Sequence, residues 1–440
     1  MQPISIDLLL HCRWLLPIVP DNQVLQDYSV AIDGGRIIDI LPIFNAKEKY
    51  LGSNTELLDR HILMPGLINA HCHSSSRLLR GIKSDLQPKE WLDANIFGPE
   101  TVFSDSKFIW DSTNLAIAEM IKTGTTCFAE MHSSGELFVD IVRKAGIRSQ
   151  FNFALKETST IFGKDANDYL HRGLKLRDDF SSYSLIKLAC GISDSCNIED
   201  TTLEQLASFT NELDLPVQIE CNQTTETIET CLKEFGCRPL QRLFDQGLLL
   251  PETQLVHMNL LDPEDSALLE KTKSHVVVCT EANQMLANKN YSLDQLMEAD
   301  INLSIGTAGA ASNNDLNLMT DIRATAVALK GGDNQHSREE TAYQALRMAT
   351  INGAKTLGWD SQIGSIENGK YADLIAIEID SIHHQPLYNP ATQLVYNSSN
   401  SPVTHSWVGG QPLLKDGNLC TVDEQKLIQS AKDWGKKLGN

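Results

Sequence analysis

Positive charge is scarce in this chain: 37 lysines and arginines stand against 57 aspartates and glutamates, a formal net charge of −20. A surface of that sign repels phosphate backbones and anionic lipid, which makes nucleic acid and membrane surfaces poor partners. No apolar run reaches the roughly 18–20 uninterrupted residues of a membrane-spanning helix. His11, Cys12 and Arg13 break the apolar stretches near the start, and no basic leader precedes them, so a secretory signal is not expected. The ten cysteines (Cys12, Cys72, Cys127, Cys190, Cys196, Cys221, Cys231, Cys237, Cys279 and Cys420) contain no CxxC pair. Scattered in this way, they read as buried, reduced thiols of a cytoplasmic protein. The sequons at Asn222, Asn290 and Asn397 then carry no meaning.

What the chain does have is apolar mass: 42% of its 440 residues are hydrophobic, enough for one barrel with an accessory domain or for two to three ordinary domains. The first sixty residues read as short strands. Leu8–Leu10, Val30–Ile32 and Arg36–Ile38 are β-rich, and Asp33-Gly34-Gly35 reads as a hairpin turn between the last two. The end of the chain has the same texture. Ala372–Ile377 and Thr404–Val408 are strand candidates, followed by Gly409-Gly410, a further short piece and a helix over about 423–438. These terminal pieces are expected to complete one small sheet domain together.

The middle alternates. β-rich runs at Thr125–Ala129, Ser149–Phe153, Ile186–Cys190, Val217–Cys221, Gln254–Met258, His275–Cys279 and Asn302–Ile305 are interleaved with helical stretches such as Leu203–Leu213, Thr225–Phe235 and Pro263–Lys271. With Leu63–His73 as the first strand, this gives about eight β/α units, the count of a closed parallel barrel whose chemistry lies at the C-terminal strand ends. The expected class is therefore α/β: a (β/α)8 TIM-like barrel over 63–366, with a composite β-sandwich domain from 1–62 and from 367–440, the last including the terminal helix.

The strongest local signal is Pro65-Gly66-Leu67-Ile68-Asn69-Ala70-His71-Cys72-His73. Residues i and i+2 of a strand share a face, so His71 and His73 both aim into a barrel mouth, a geometry that suits two imidazoles on one metal. Cys72 between them should point away. This run, with Leu78-Leu79-Arg80-Gly81 after it, resembles the opening signature of the amidohydrolase superfamily. The runs Gly306–Leu316, Gly236–Leu240 and Ile363–Leu374 make the chain similar to the methylthioadenosine/S-adenosylhomocysteine deaminase branch, close to the triazine hydrolases. The likeness extends from about Asp7 to Gly435. It implies a barrel flanked by a composite β domain, one divalent metal (zinc or iron), a nucleoside-like small-molecule ligand and a cytoplasmic homo-oligomer.

The resemblance also implies a site: two histidines from strand one, a histidine from strand five and an aspartate from strand eight on the metal, a strand-five glutamate that shuttles protons with that aspartate, and a strand-six histidine that orients the attacking water. Metal lowers the pKa of water, and carboxylates move the protons. His71, His73 and His257 match. The strand-five histidine is Glu220 here, the glutamate is Gln223, and the strand-eight aspartate is Ala308. Strand seven reads Val278-Cys279-Thr280-Glu281-Ala282-Asn283, and Ser193 stands where a substrate-contacting histidine is expected. Trp91 and Arg148 match positions near the substrate pocket. His275 reads as structural, and His383-His384 as a solvated loop.

Glutamine keeps the shape of glutamate but exchanges no proton near neutral pH, and alanine removes a ligand and a base together. The expected outcome is a scaffold that has lost hydrolysis, binding a nucleoside-like ligand, pairing with an active homologue or serving as an interaction surface. The alternative is an active hydrolase of adenosine derivatives or related N-heterocycles with a His71, His73, Glu220 metal site, Asp194 standing in for a lost carboxylate. Deliberate inactivation of a working enzyme fits less well, since the departures spread over strands four, five, seven and eight.

Overall fold

The computed structural model describes residues 2–82, 105–132, 135–159, 162–285, 293–331, 336–397 and 402–438. The N-terminal strands are β1 (Ile4–Leu15), β2 (Leu25–Asp33), β3 (Arg36–Pro42) and β4 (Tyr50–Pro65). Leu8 and Leu10 face one apolar cluster and Leu9 faces another, so the leucine run reflects a strand covered on both sides. The β2–β3 turn closes at Asp33↔Arg36, with Gly34 and Gly35 at φ 55° and 75°, the left-handed pair that a two-residue turn requires.

Eight strands then run in parallel order: β5 (Leu67–His73), β6 (Thr125–His132), β7 (Arg148–Ala154), β8 (Ile186–Ile192), β9 (Val217–Cys221), β10 (Gln254–His257), β11 (His275–Val278) and β12 (Leu303–Ile305). The short β13 (Ala308–Gly309) continues β12 and pairs with β5 at Ala308↔Cys72 and Gly309↔His73. Thr307 donates its N–H to the His71 carbonyl at 3.1 Å, and the ring closes. The eighth strand thus pairs with β11 by its first half and with β5 by its second. The expected (β/α)8 barrel is present.

The chain returns to the first sheet with β14 (Leu374–Glu378), β15 (Val403–Val408), β16 (Gln411–Lys415) and β17 (Asn418–Leu419). Both termini therefore build one eight-stranded hydrogen-bonded sheet, ordered β17-β16-β15-β14-β4-β1-β2-β3.

The domain limits differ from those expected. β4 pairs with β14 as far as Pro65↔Leu374, so residues 63–65 belong to the terminal sheet and the barrel begins at Leu67. Gly66 makes the break: a Cβ there would lie 2.0 Å from Thr126 Oγ1, an approach only glycine permits. The terminal helix Glu424–Leu438 leaves the sheet and packs on the barrel helix Ser106–Lys122. Trp434 meets Phe108 edge-on at 5.2 Å and donates from Nε1 to Asp111 at 2.8 Å.

Two further expectations fail. Arg148 sits at the N-terminal end of β7, away from the mouth. It is buried, and its guanidinium forks onto Asp373 at 2.8 and 3.1 Å, with Trp359 and Tyr371 against its face. Arg148 therefore ties the barrel floor to the terminal sheet and does not reach a ligand at the strand ends. His384 is buried and hydrogen-bonded to Ser381 at 2.8 Å, so only His383 of that pair is exposed. His275 is buried at the start of β11, as a structural residue would be. No helix among the described residues is long and apolar enough to cross a membrane. All ten cysteines are free, and all but Cys237 and Cys420 are buried.

Candidate metal centre

The C-terminal strand ends converge four side chains. β5 ends on His71 and His73, whose rings stand 4.7 Å apart at 88°. Glu220 comes from β9 and His257 from the end of β10. Glu220 Oε1 lies 3.4 Å from His73 Nε2 and 3.9 Å from His71 Nε2, and its Oε2 lies 3.8 Å from His257 Nε2. These gaps are longer than the roughly 2.7–3.2 Å of a good N–H···O bond.

Charge follows geometry. Burial, with His73 alongside, pushes His71 down to about 3, leaving it neutral despite Glu220. Burial also works against a charged His73, but Glu220 outweighs it and the net shift is upward. Burial alone would raise the Glu220 carboxyl. His257, His73 and His71 overcome it and hold the group well below its ordinary range.

A metal can be tested against these residues. One donor atom from each of His71, His73 and Glu220 lies within 4.8 Å of the others. His71 Nε2 is fully buried and has no hydrogen-bond partner. Two imidazoles and a carboxylate form a donor set that suits zinc or iron. The residues fit a divalent cation.

His257 is set by its neighbours. Asn259 donates to the Gln223 carbonyl and to Asn283 Oδ1, which fixes Asn283 Oδ1 as an acceptor for His257 Nδ1–H at 3.0 Å. The other nitrogen, Nε2, therefore carries the lone pair and accepts from the Gln223 amide at 3.1 Å. Gln223 thus meets His257 as a hydrogen-bond donor. Ala308 packs among Ala70, Val256, Val277, Cys279 and Ala282, so the expected fourth ligand position is apolar. Its backbone is left-handed at φ 54°, as are His257 at 74° and Met258 at 49°. Such non-glycine conformations are sparsely populated, and they tend to cluster at functional sites.

The remaining candidates separate. Cys72 turns away, as expected, and donates to Glu130 at 3.4 Å. Ser193 is exposed at the end of β8. Asp194 is spent locally, accepting from Cys196 N–H and Asn197 Nδ2, and does not stand in as a free base. Trp91 lies outside the described residues. Sequence reasoning missed Glu130, which burial pushes up to about 7 and which accepts the Ser74 N–H at 2.7 Å just beyond His73. It also missed Asn283 as the partner of His257, although the strand-seven motif had been singled out.

The amidohydrolase family model matches residues 62–413. The chain belongs to the amidohydrolase family. It is 39% identical, over 99% of its length and 98% of the relative's, to 5-methylthioadenosine/S-adenosylhomocysteine deaminase of Teredinibacter turnerae. The enzyme of the same name from Saccharophagus degradans is 38% identical over 98% of this chain and 97% of its own. Among solved structures, an adenosine deaminase from Xanthomonas campestris with bound zinc superposes with a TM-score of 0.94 at 32% identity, covering 99% of both chains. The atrazine chlorohydrolase of Arthrobacter aurescens, at 19% identity and a TM-score of 0.88, shares the fold.

Proposed function

We propose that this amidohydrolase-family chain holds one divalent metal on His71, His73 and Glu220 and hydrolyses a carbon–nitrogen bond of a nucleoside-like or related planar N-heterocycle. The observation that carries this reading is the unpartnered, buried Nε2 of His71 facing His73 and Glu220. When bound, a divalent metal supplies a water acidified toward neutral pH and polarises the group under attack. The side chains do the rest. Asn283 holds His257 by Nδ1, leaving Nε2 able to take a proton once the Gln223 amide turns aside. The relatives support an adenine-bearing substrate through what their names say they act on.

A second reading has its own observation: with Gln223 and Ala308 at their positions, the carboxylate beside His257 is Glu220, 3.8 Å away, the same group the first reading gives to the metal. On that reading the site binds a ligand without turning it over. The expectation of lost hydrolysis rests on those two residues, and neither the fold nor the relatives add to it. Ammonia release from adenosine, 5-methylthioadenosine and S-adenosylhomocysteine by zinc-loaded protein tests the proposal. Slow release that Glu220→Ala abolishes supports it. Nucleoside binding without release above the uncatalysed rate overturns turnover and leaves the second reading.

A further inference from the structure

Below the histidines, the barrel interior is not apolar. Gln150 and Asn152 from β7, Gln218 from β9 and Gln254 from β10 are all buried and joined amide to amide. Amide nitrogen and oxygen are ordinarily hard to tell apart, but two backbone carbonyls, which can only accept, fix this array. Gln254 Nε2 donates to the Thr356 carbonyl at 2.9 Å, so its Oε1 must be the acceptor for Gln150 and Gln218, both at 2.9 Å. Gln218 Nε2 donates to the Ala70 carbonyl at 2.9 Å, so its Oε1 faces the other way. Gln150 donates to Asn152 Oδ1 at 2.8 Å, which turns the Asn152 amide nitrogen onto Gln218 Oε1 at 2.9 Å. Every assignment agrees with every other.

The last member of the array is His71, whose Nδ1 lies 2.7 Å from Gln218 Oε1. That oxygen cannot donate, so Nδ1 carries the hydrogen and Nε2 keeps its lone pair. We propose that Gln218 is a positioning residue for the metal centre: its locked amide holds His71 in the Nδ1–H tautomer and points the Nε2 lone pair toward Glu220 and His73. A glutamine serves here where an acid would not, because the same side chain must donate to Ala70 and Gln254 while accepting from His71. The proposal rests on the metal reading for its consequence, but the tautomer itself does not.

The experiment has two arms. In metal-free protein with ¹⁵N-labelled histidine, the His71 signals, assigned by their loss in His71→Asn, are expected to place the proton on Nδ1. A proton on Nε2 overturns the proposal whether or not the protein binds metal. In the second arm, zinc is titrated into wild type and Gln218→Met, which keeps length and volume but cannot accept from Nδ1–H. Affinity is expected to fall roughly 10- to 100-fold, as for other groups that orient a metal-ligating histidine, and the Nδ1–H preference is expected to be lost. A folded Gln218→Met chain that binds zinc like wild type overturns the proposal. Should that variant not fold, the wild-type tautomer still decides. Should wild type take up no zinc, the metal reading fails separately from the Gln218 assignment.

Discussion

Placing carboxylates at two positions of the mouth, with Gln223→Glu and Ala308→Asp in one chain, is expected to raise nucleoside hydrolysis by about 10²–10⁴-fold, the range contributed by a positioned acid or base. Gln223 already sits 3.1 Å from His257 Nε2, so a glutamate there needs no new backbone. It would replace a donor that occupies the imidazole lone pair with a group that exchanges protons with it. Position 308 is equally prepared. Its φ of 54° is costly for alanine and better tolerated by aspartate, so the backbone accepts the acid that the side chain lacks. The surrounding alanines, valines and Cys279 are apolar, and Ala308→Asp without metal is expected to cost stability that metal returns. Initial rates of ammonia release for wild type, both single variants and the pair are the measurement. The single effects should not simply add, because the two groups serve one proton path. No gain in any variant would show that the altered ligand set, not the missing carboxylates, limits the chemistry.

Arg148→Met is expected to destabilise the fold by about 3–5 kcal/mol, the usual penalty for stranding one member of a buried ion pair. Asp373 would keep its bond from the Gly409 N–H but lose both guanidinium bonds in a buried setting. Changing both partners, Arg148→Met with Asp373→Asn, should recover part of that loss. Denaturant midpoints of the three chains measure it. Stability unchanged in Arg148→Met, with weaker ligand binding instead, would return Arg148 to the substrate side and contradict its placement at the barrel floor.

That residue shows where sequence reading stopped. A family position supplies a residue type and a neighbourhood, but the start and end of a seven-residue barrel strand lie on opposite faces of the molecule. His71 and His73 were legible because strand periodicity and a strand-end location dictate where both point. The barrel was legible from repeated β-then-helix spacing, and the composite sheet from the matching texture of the two termini. The break at Gly66 was not, since the reason for it is Thr126, a contact across the first two barrel strands. The amide array was hidden for the same reason. Gln150 and Gln254 lie 104 positions apart, and a lone glutamine within an apolar strand carries no pattern of its own. Asp194 looked available by position, yet its oxygens are claimed by the turn that follows it, a local bond that residue identity alone did not reveal.

The most direct test of the metal centre is elemental analysis of the purified chain after growth with zinc and iron supplied, beside His71→Ala and Glu220→Ala made in the same way. The account predicts close to one divalent metal per wild-type chain and far less in both variants. Folded wild-type protein without metal, or metal that survives both substitutions, would contradict it.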